Sequence, residues 1–290
     1  MPARVWTALA GVITALLIAV VGLDQWQSRR GEASLFGLPW RASPPPAASA
    51  PVVPKALREP LPVVPPGAAG GPRIAVVVDD LGARRDVFDG LREIRRPLTV
   101  AVLPGLPLSE WTAREALQSG MEVLLDLPME PYRFPEVDPG PGALLMAMSA
   151  QEMQAQIGAH LASVPGAVGV TNHMGSRMTE DRARMRTVLE VIAGRRLFLV
   201  DGLTSNLSVA YDEAKAQGLR AGRRQVIVDH GAGESGDRVR WDEVAWWAET
   251  RGEVIVIAHG HPLTARLLRE YVPRWESRGM RLVPVSQLAR

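Results

Sequence analysis

The chain has 290 residues, 47% of them hydrophobic, with 33 Lys+Arg against 31 Asp+Glu and a formal net charge of +2. That is enough for one large α/β domain plus extra segments, and the lack of cysteine excludes disulfides, thiolate metal sites and a Cys nucleophile. The arginine pairs Arg84-Arg85, Arg195-Arg196 and Arg223-Arg224 are scattered; they read as solvated surface, and no nucleic-acid partner is expected.

Residues 6–23 form an uncharged apolar run after Arg4, followed by Asp24 and Arg29-Arg30. At about 18 residues the run sits at the lower edge of what spans a bilayer. It is longer than a usual signal-peptide core, and no small-x-small cleavage site follows it cleanly. Residues 1–23 are therefore expected to be a signal anchor, a cleaved signal peptide being the alternative. Residues 24–72 are rich in Pro and Ala and carry no apolar period, which predicts an extended linker.

From Arg73 to Arg290 short β-rich runs alternate with amphipathic segments. Strands are predicted at 74–78, 99–103, 122–125, 168–170, 197–200, 226–228, 254–257 and 281–283. Helices are predicted at 86–94, 108–118, 150–163, 180–193, 208–217, 238–249 and 264–278. This βα rhythm predicts an α/β fold, a distorted (β/α) barrel of about seven to eight parallel strands, with an open doubly wound sheet as the alternative. Trp241, Trp246 and Trp247 share one helix; Trp246 or Trp247 is expected in the core and Trp241 outside. His160 is expected on a solvated helix face.

Chemistry gathers where the strands end. The ends carry Asp79-Asp80, Asp126, Thr171-Asn172-His173, Asp201, Asp229 and His259. Ligands bind at the carboxyl ends of parallel strands, and a buried strand needs no polar residue there for packing. Any one Asp could cap the next helix; six ends in register predict a shared site. Asp80, Asp126 and His173 make a recognisable ligand set for a divalent ion. Asn172, Ser176, Asp201, Asp229 and His261 are expected around the substrate. The loop "DHGAGESG" spaces Gly231, Gly233 and Gly236 like a dinucleotide fingerprint. That reading is set aside: the fingerprint belongs at a first strand, Asp229-His230 intrude before the glycines, and Glu253 begins the next strand instead of ending it.

Five phrases fall in order: "IAVVVDDLG", "PLTVAVLP", "EVLLDLPMEP", "GVTNHMGSRMT" and "VIAHGHPLT". Together they resemble the divergent polysaccharide deacetylase family, a branch of the carbohydrate esterase superfamily with a distorted barrel, over roughly residues 73–290. The resemblance implies metal-assisted hydrolysis of N-acetyl groups on a glycan. By motif, Asp79 is similar to the general base, Asp80 to a metal ligand and His259 to the general acid. The usual family phrase has histidine where this chain has Asp126, and Gly260-His261 replace the usual proline and arginine. An oxygen-rich ligand set leans towards manganese, a nitrogen-rich one towards zinc. The resulting expectation is a metal-dependent carbohydrate deacetylase, anchored in the inner membrane by a single pass with its barrel in the periplasm. The alternative is an inactive homologue that binds envelope glycan or a partner protein through the same cleft.

Overall fold

The computed structural model describes residues 70–230 and 233–290. The apolar run 6–23, residues 24–69 of the expected linker and Gly231 lie outside the described residues. Among the described residues no helix is long and apolar enough to cross a membrane.

Strands and helices alternate: β1 (Arg73–Leu81), α1 (Arg85–Arg92), β2 (Thr99–Val102), α2 (Ser109–Gln118), β3 (Glu122–Met129), α3 (Ala150–Ser163), β4 (Gly169–Met174), α4 (Arg182–Gly194), β5 (Phe198–Asp201), α5 (Ala210–Ala216), β6 (Ala221–Arg223), β7 (Val226–Ile227), α6 (Glu234–Arg251), β8 (Glu253–His259), α7 (Pro262–Ser277) and β9 (Arg281–Leu282). The hydrogen-bonded order is β6-β5-β4-β3-β2-β1-β8-β7, with β9 on β1, and every pairing is parallel.

β6 and β7 stand at opposite ends of this sheet, yet only Arg224 and Gln225 separate them in sequence. The sheet must therefore curl until its edges meet. At the seam Arg224 N–H donates to Asp201 O and Gln225 N–H to Ile255 O, each at 3.0 Å. One short stretch of chain changes partner and closes the distorted barrel.

Period-2 alternation then makes two cores. Ile74, Val76 and Val78 face outward and join Phe88, Leu91, Leu267 and Leu268 beneath the helices. Ala75 and Val77 face inward with Leu124, Phe198, Val200, Ile255 and Ile257. Each fully buried aliphatic side chain of this kind contributes about 1.5–3 kcal/mol. Val283, Val285, Leu288 and Ala289 join the inner cluster. Val285 N–H donates to Thr99 Oγ1, and Ser286 N–H to Glu122 Oε1, both at 3.0 Å and both at strand starts. The C-terminal segment plugs that end, and only the carboxyl ends of the strands open outward.

Several expectations need correction. β6 is an unpredicted strand. Its sequence "AGR" has no β-branched residue, and Gly222 reads as a breaker; in the fold a Cβ there would lie 2.7 Å from Ile255 Cδ1. α4 starts two residues late because Asp181 caps it, accepting Arg184 N–H at 2.9 Å. Trp241 is 1% exposed and stacks on Trp275 instead of standing outside, while Trp246 is 57% exposed and Trp247 is the one of that pair that packs, half-buried, against the core. His160 is buried, not solvated, and its Nε2 meets Gly142 O at 2.7 Å. Burial holds that imidazole below its ordinary value, partly offset by the Gly142 carbonyl. Nor is the pair Arg223-Arg224 free surface: Arg223 lies over Tyr211 and reaches Asp212 at 3.1 Å, and Arg224 lines the open end of the barrel.

Candidate active site

The inward phase of β1 runs through Ala75 and Val77 to Asp79, which is 8% exposed at the barrel mouth. Strict alternation would turn Asp80 away. Instead the register with β2 slips between Val78 and Leu81, and Asp80 takes φ +58°. This bulge, with a non-glycine residue in the left-handed region, aims two adjacent carboxylates at one place. Asp80 N–H then donates to Asp126 Oδ2 at 3.0 Å. Asp126 extends the inward phase of β3 beyond Leu124, and His173 lies one inward step beyond Thr171, the register partner of Asp126 on β4. His173 Nδ1 lies 2.7 Å from Asp80 Oδ1 and 3.8 Å from Asp126 Oδ2.

Two ligand sets emerge. Donor atoms of Asp80, Asp126 and His173 all lie within 4.8 Å of one another, as do those of Asp79, Asp80 and His259. Asp79 Oδ1 and Asp126 Oδ1 are buried with no hydrogen-bond partner. A buried carboxylate oxygen without a partner is costly, and a cation would satisfy both. The donor set therefore fits a divalent ion.

The electrostatics agree. Burial, then the charges of Asp126, Asp80 and Asp229, hold the Asp79 carboxyl well above its ordinary value. Burial pushes Asp126 up to about 6, opposed by His173 and reinforced by Asp80. Burial acts the same way on Asp80, but the His173 hydrogen bond and the nearby histidine charges outweigh it, and the net direction is down. His173 rises despite burial because Asp80 and Asp126 favour its proton.

His259 ends β8. Asp229 accepts both its backbone N–H at 2.6 Å and its ring Nδ1–H at 2.7 Å. That bond fixes the tautomer, leaves Nε2 for chemistry and raises the affinity of the imidazole for its proton, against the effect of burial. The His230 ring stacks on His259 at 5.5 Å between centroids.

A cavity of about 450 Å³ opens here, lined among others by Asp79, Asp80, His173, Ser176, His230 and His259. Asn172 lines it too, but its amide is committed: Oδ1 accepts Gly202 N–H at 2.8 Å, and Nδ2 donates to Met174 O and Thr204 Oγ1. Ser176 Oγ accepts Tyr132 N–H at 3.2 Å. Asp201 stands apart from the expected role. It is buried outside the cavity and acts as a local cap, accepting Leu203 N–H, Ser208 Oγ–H and Tyr211 N–H. His261 is exposed at the start of α7, its ring 6.4 Å from that of His259.

Arg224 is the cavity residue that the sequence reading missed. It donates through Nε to Gly202 O at 2.6 Å and through Nη2 to Leu203 O at 2.8 Å. Burial lowers its affinity for the proton, while the charges of Asp201 and Asp79 raise it. Its signal, a place directly after the carboxyl end of β6, was hidden because that strand was not predicted.

The profile of the divergent polysaccharide deacetylase family matches residues 76–289. The chain belongs to that family. The uncharacterized Escherichia coli (strain K12) protein YibQ is 32% identical over 200 residues, covering 69% of this chain and 62% of its own length. An uncharacterized Haemophilus influenzae protein is 30% identical over 198 residues, covering 68% of this chain and 70% of its own. This chain thus spans less than two thirds of the E. coli relative. The crystal structure of the uncharacterized protein ATU2773 from Agrobacterium tumefaciens C58 superposes with a TM-score of 0.72 at 25% identity, over 77% of this chain and 92% of that one. In this chain Asp79, Asp80, Asp126, His173 and His259 cluster at the barrel mouth.

Proposed function

We propose that the chain is a metal-dependent deacetylase of an N-acetylated envelope glycan. The observation that carries this is the convergence of Asp80, Asp126 and His173 from three strand ends, beside the partnerless oxygens of Asp79 and Asp126. A divalent ion held by that triad would supply Lewis acidity towards the acyl oxygen and make a water molecule more acidic.

The residues do the rest. Asp79 takes a proton from water as its oxygen bonds to the acetyl carbon. His259 Nε2 gives a proton to the glycan nitrogen as the C–N bond breaks, leaving acetate and a free amine. Asp229 holds the imidazole in the tautomer this requires. The apolar wall of Pro131, Val137, Met174 and Leu203 keeps bulk water from the reacting bond. In this proposal residues 6–23 anchor the protein in the inner membrane and the linker of residues 24–72 holds the barrel in the periplasm.

The decisive experiment is acetate release from envelope glycan fragments by the full chain, with chelator and with added Mn²⁺ or Zn²⁺. Release that needs the metal supports the proposal. Glycan binding without release under any metal selects the other reading, a non-catalytic binder that uses the same cleft. Asp126 is the observation behind that reading: a second carboxylate in the triad makes the ion less electrophilic than a neutral imidazole would.

A further inference from the structure

Arg224 sits on the seam of the barrel, between the carboxyl end of β5 and the middle of β8. Its guanidinium is fixed at two points by the carbonyls of Gly202 and Leu203. Its Nη1 donates to no acceptor among the described residues, and the side chain lines the same cavity as Asp79, His173 and His259. Among the described residues, no carboxylate oxygen lies within 4.0 Å of the Arg224 guanidinium, whereas the adjacent Arg223 has both Asp212 at 3.1 Å and Asp201 at 3.9 Å. The carboxylate nearest in the fold is thus already spent on caps and on Arg223.

A half-buried guanidinium with no carboxylate in direct contact leaves part of its charge unpaired, and desolvating a charge is costly unless it is paired. Its planar fork of donors matches a carboxylate in two-point contact. The two backbone carbonyls orient that fork before any ligand arrives. Asp79 and Asp80 line the same cavity, but both belong to donor sets that fit a divalent ion, whose charge would offset theirs. The seam is therefore the part of the mouth where an acidic group can be accepted.

We infer that Arg224 receives a carboxylate of the substrate, so that the glycan is an acidic amino-sugar chain. This rests on the glycan reading above and narrows it. The acetamido group lies towards His173 and Asp79 and the acid towards the seam. The shared chemistry is a sugar carboxylate, carried either by a lactyl ether on the amino sugar or by a neighbouring hexuronic acid.

The test titrates the full chain, loaded with Mn²⁺, with three tetrasaccharides: neutral chitotetraose, an alternating chain with lactyl ethers, and an alternating chain with glucuronate. Wild type is expected to bind at least one acidic chain roughly 10- to 100-fold more tightly than chitotetraose, the range for a charge-assisted contact. Whichever acidic chain shows the preference identifies the source of the carboxylate. Arg224→Gln should collapse the acidic-to-neutral affinity ratio towards one, and Arg224→Lys should restore part of it. Equal affinity of wild type for all three chains overturns the inference without any variant, and leaves the deacetylase proposal standing if acetate is released. An unchanged ratio in Arg224→Gln also overturns it. No binding to any chain and no acetate release removes the glycan reading and this inference with it.

Discussion

Asp80 donates its backbone N–H to Asp126 Oδ2 at 3.0 Å while its own carboxylate meets His173 Nδ1 at 2.7 Å. One bulged residue thereby ties β1, β3 and β4 together at the barrel mouth. The tie aligns three side chains as a ligand set before any ion is present, which lowers the ordering cost of binding. Asp126→Asn keeps an oxygen for the Asp80 N–H but removes the charge. His173→Ala removes the imidazole. Each is expected to weaken Mn²⁺ and Zn²⁺ binding by roughly 10- to 100-fold or more, read by isothermal titration on chelator-stripped protein. Unchanged affinity in both variants would remove these residues from the ligand set.

Asp79 should show opposite effects on activity and stability. Its carboxyl is held well above its ordinary value by burial and by three neighbouring carboxylates. The folded state therefore binds that proton more tightly than the unfolded chain. The stability gained from the proton is complete below the unfolded value, near 4, and is lost as pH rises through the raised one. Metal-free protein should then become less stable as pH rises towards neutrality. In chelator at pH 7, Asp79→Asn should melt above wild type, while its acetate release falls by about 10²–10⁴. For Asp126, held at about 6 against an ordinary 3.8, the same reasoning gives Asp126→Asn a gain of up to about 3 kcal/mol at neutral pH in chelator. Calorimetry across pH with and without ion measures both. A metal-free Asp79→Asn that melts below wild type at pH 7 contradicts the charge argument.

The barrel was legible because its signal is periodic. Runs such as "RIAVVV" and "EVIVIA" are apolar on both faces, as strands between a plugged interior and a helical layer must be, and all seven helices appear near their predicted positions. β6 was not legible: its three residues pair through backbone, and Gly222, whose Cβ would meet the Ile255 tip at 2.7 Å, reads in sequence as a breaker. Asp79 and Asp80 were visible as a motif, but the bulge that aims both at one point depends on register with β2, which a single strand does not encode. Asp201 looked like its neighbours at the other strand ends and serves instead as a cap; the difference lies in Leu203, Ser208 and Tyr211, which fold back onto it. Trp241 was misplaced because the stripe that α6 buries is set by Tyr271 and Trp275 on α7, far along the chain.

The His259–Asp229 pair should set the alkaline limb of the pH–rate profile. A general acid must be protonated, so activity falls as pH rises through its value in the complex. The hydrogen bond and charge of Asp229 hold that value above the ordinary 6.5. Asp229→Asn keeps an acceptor near Nδ1 but removes the charge, and should move the alkaline limb to lower pH. His259→Ala should lower activity about 10²–10⁴-fold and leave no such limb. The profile of kcat against pH for wild type and Asp229→Asn checks this, with Mn²⁺ titrated in parallel to exclude a loss of ion. An alkaline limb that stays in place would assign the acid to another group.

Replacing one carboxylate of the triad with an imidazole should change which ion the site prefers. Asp80 and Asp126 give two anionic oxygens against the single nitrogen of His173, a set suited to a harder ion such as Mn²⁺. Asp126→His makes the donors two nitrogens and one oxygen and removes one negative charge. Zn²⁺ should gain on Mn²⁺ by competition, and a zinc-bound water should become more acidic, nearer the range of about 7 seen with mostly neutral ligands. The acidic limb of zinc-dependent acetate release should then move to lower pH. Asp126 is fully buried, and the larger ring must fit against Asp80 and His173. The melting curve of the variant with Zn²⁺ present separates a failed fold from a failed ligand. A folded variant whose Zn²⁺-to-Mn²⁺ preference equals that of wild type would show that Asp126 does not touch the ion. A folded variant that gains zinc affinity and starts to release acetate where wild type does not would show that this carboxylate is what restrains the chemistry.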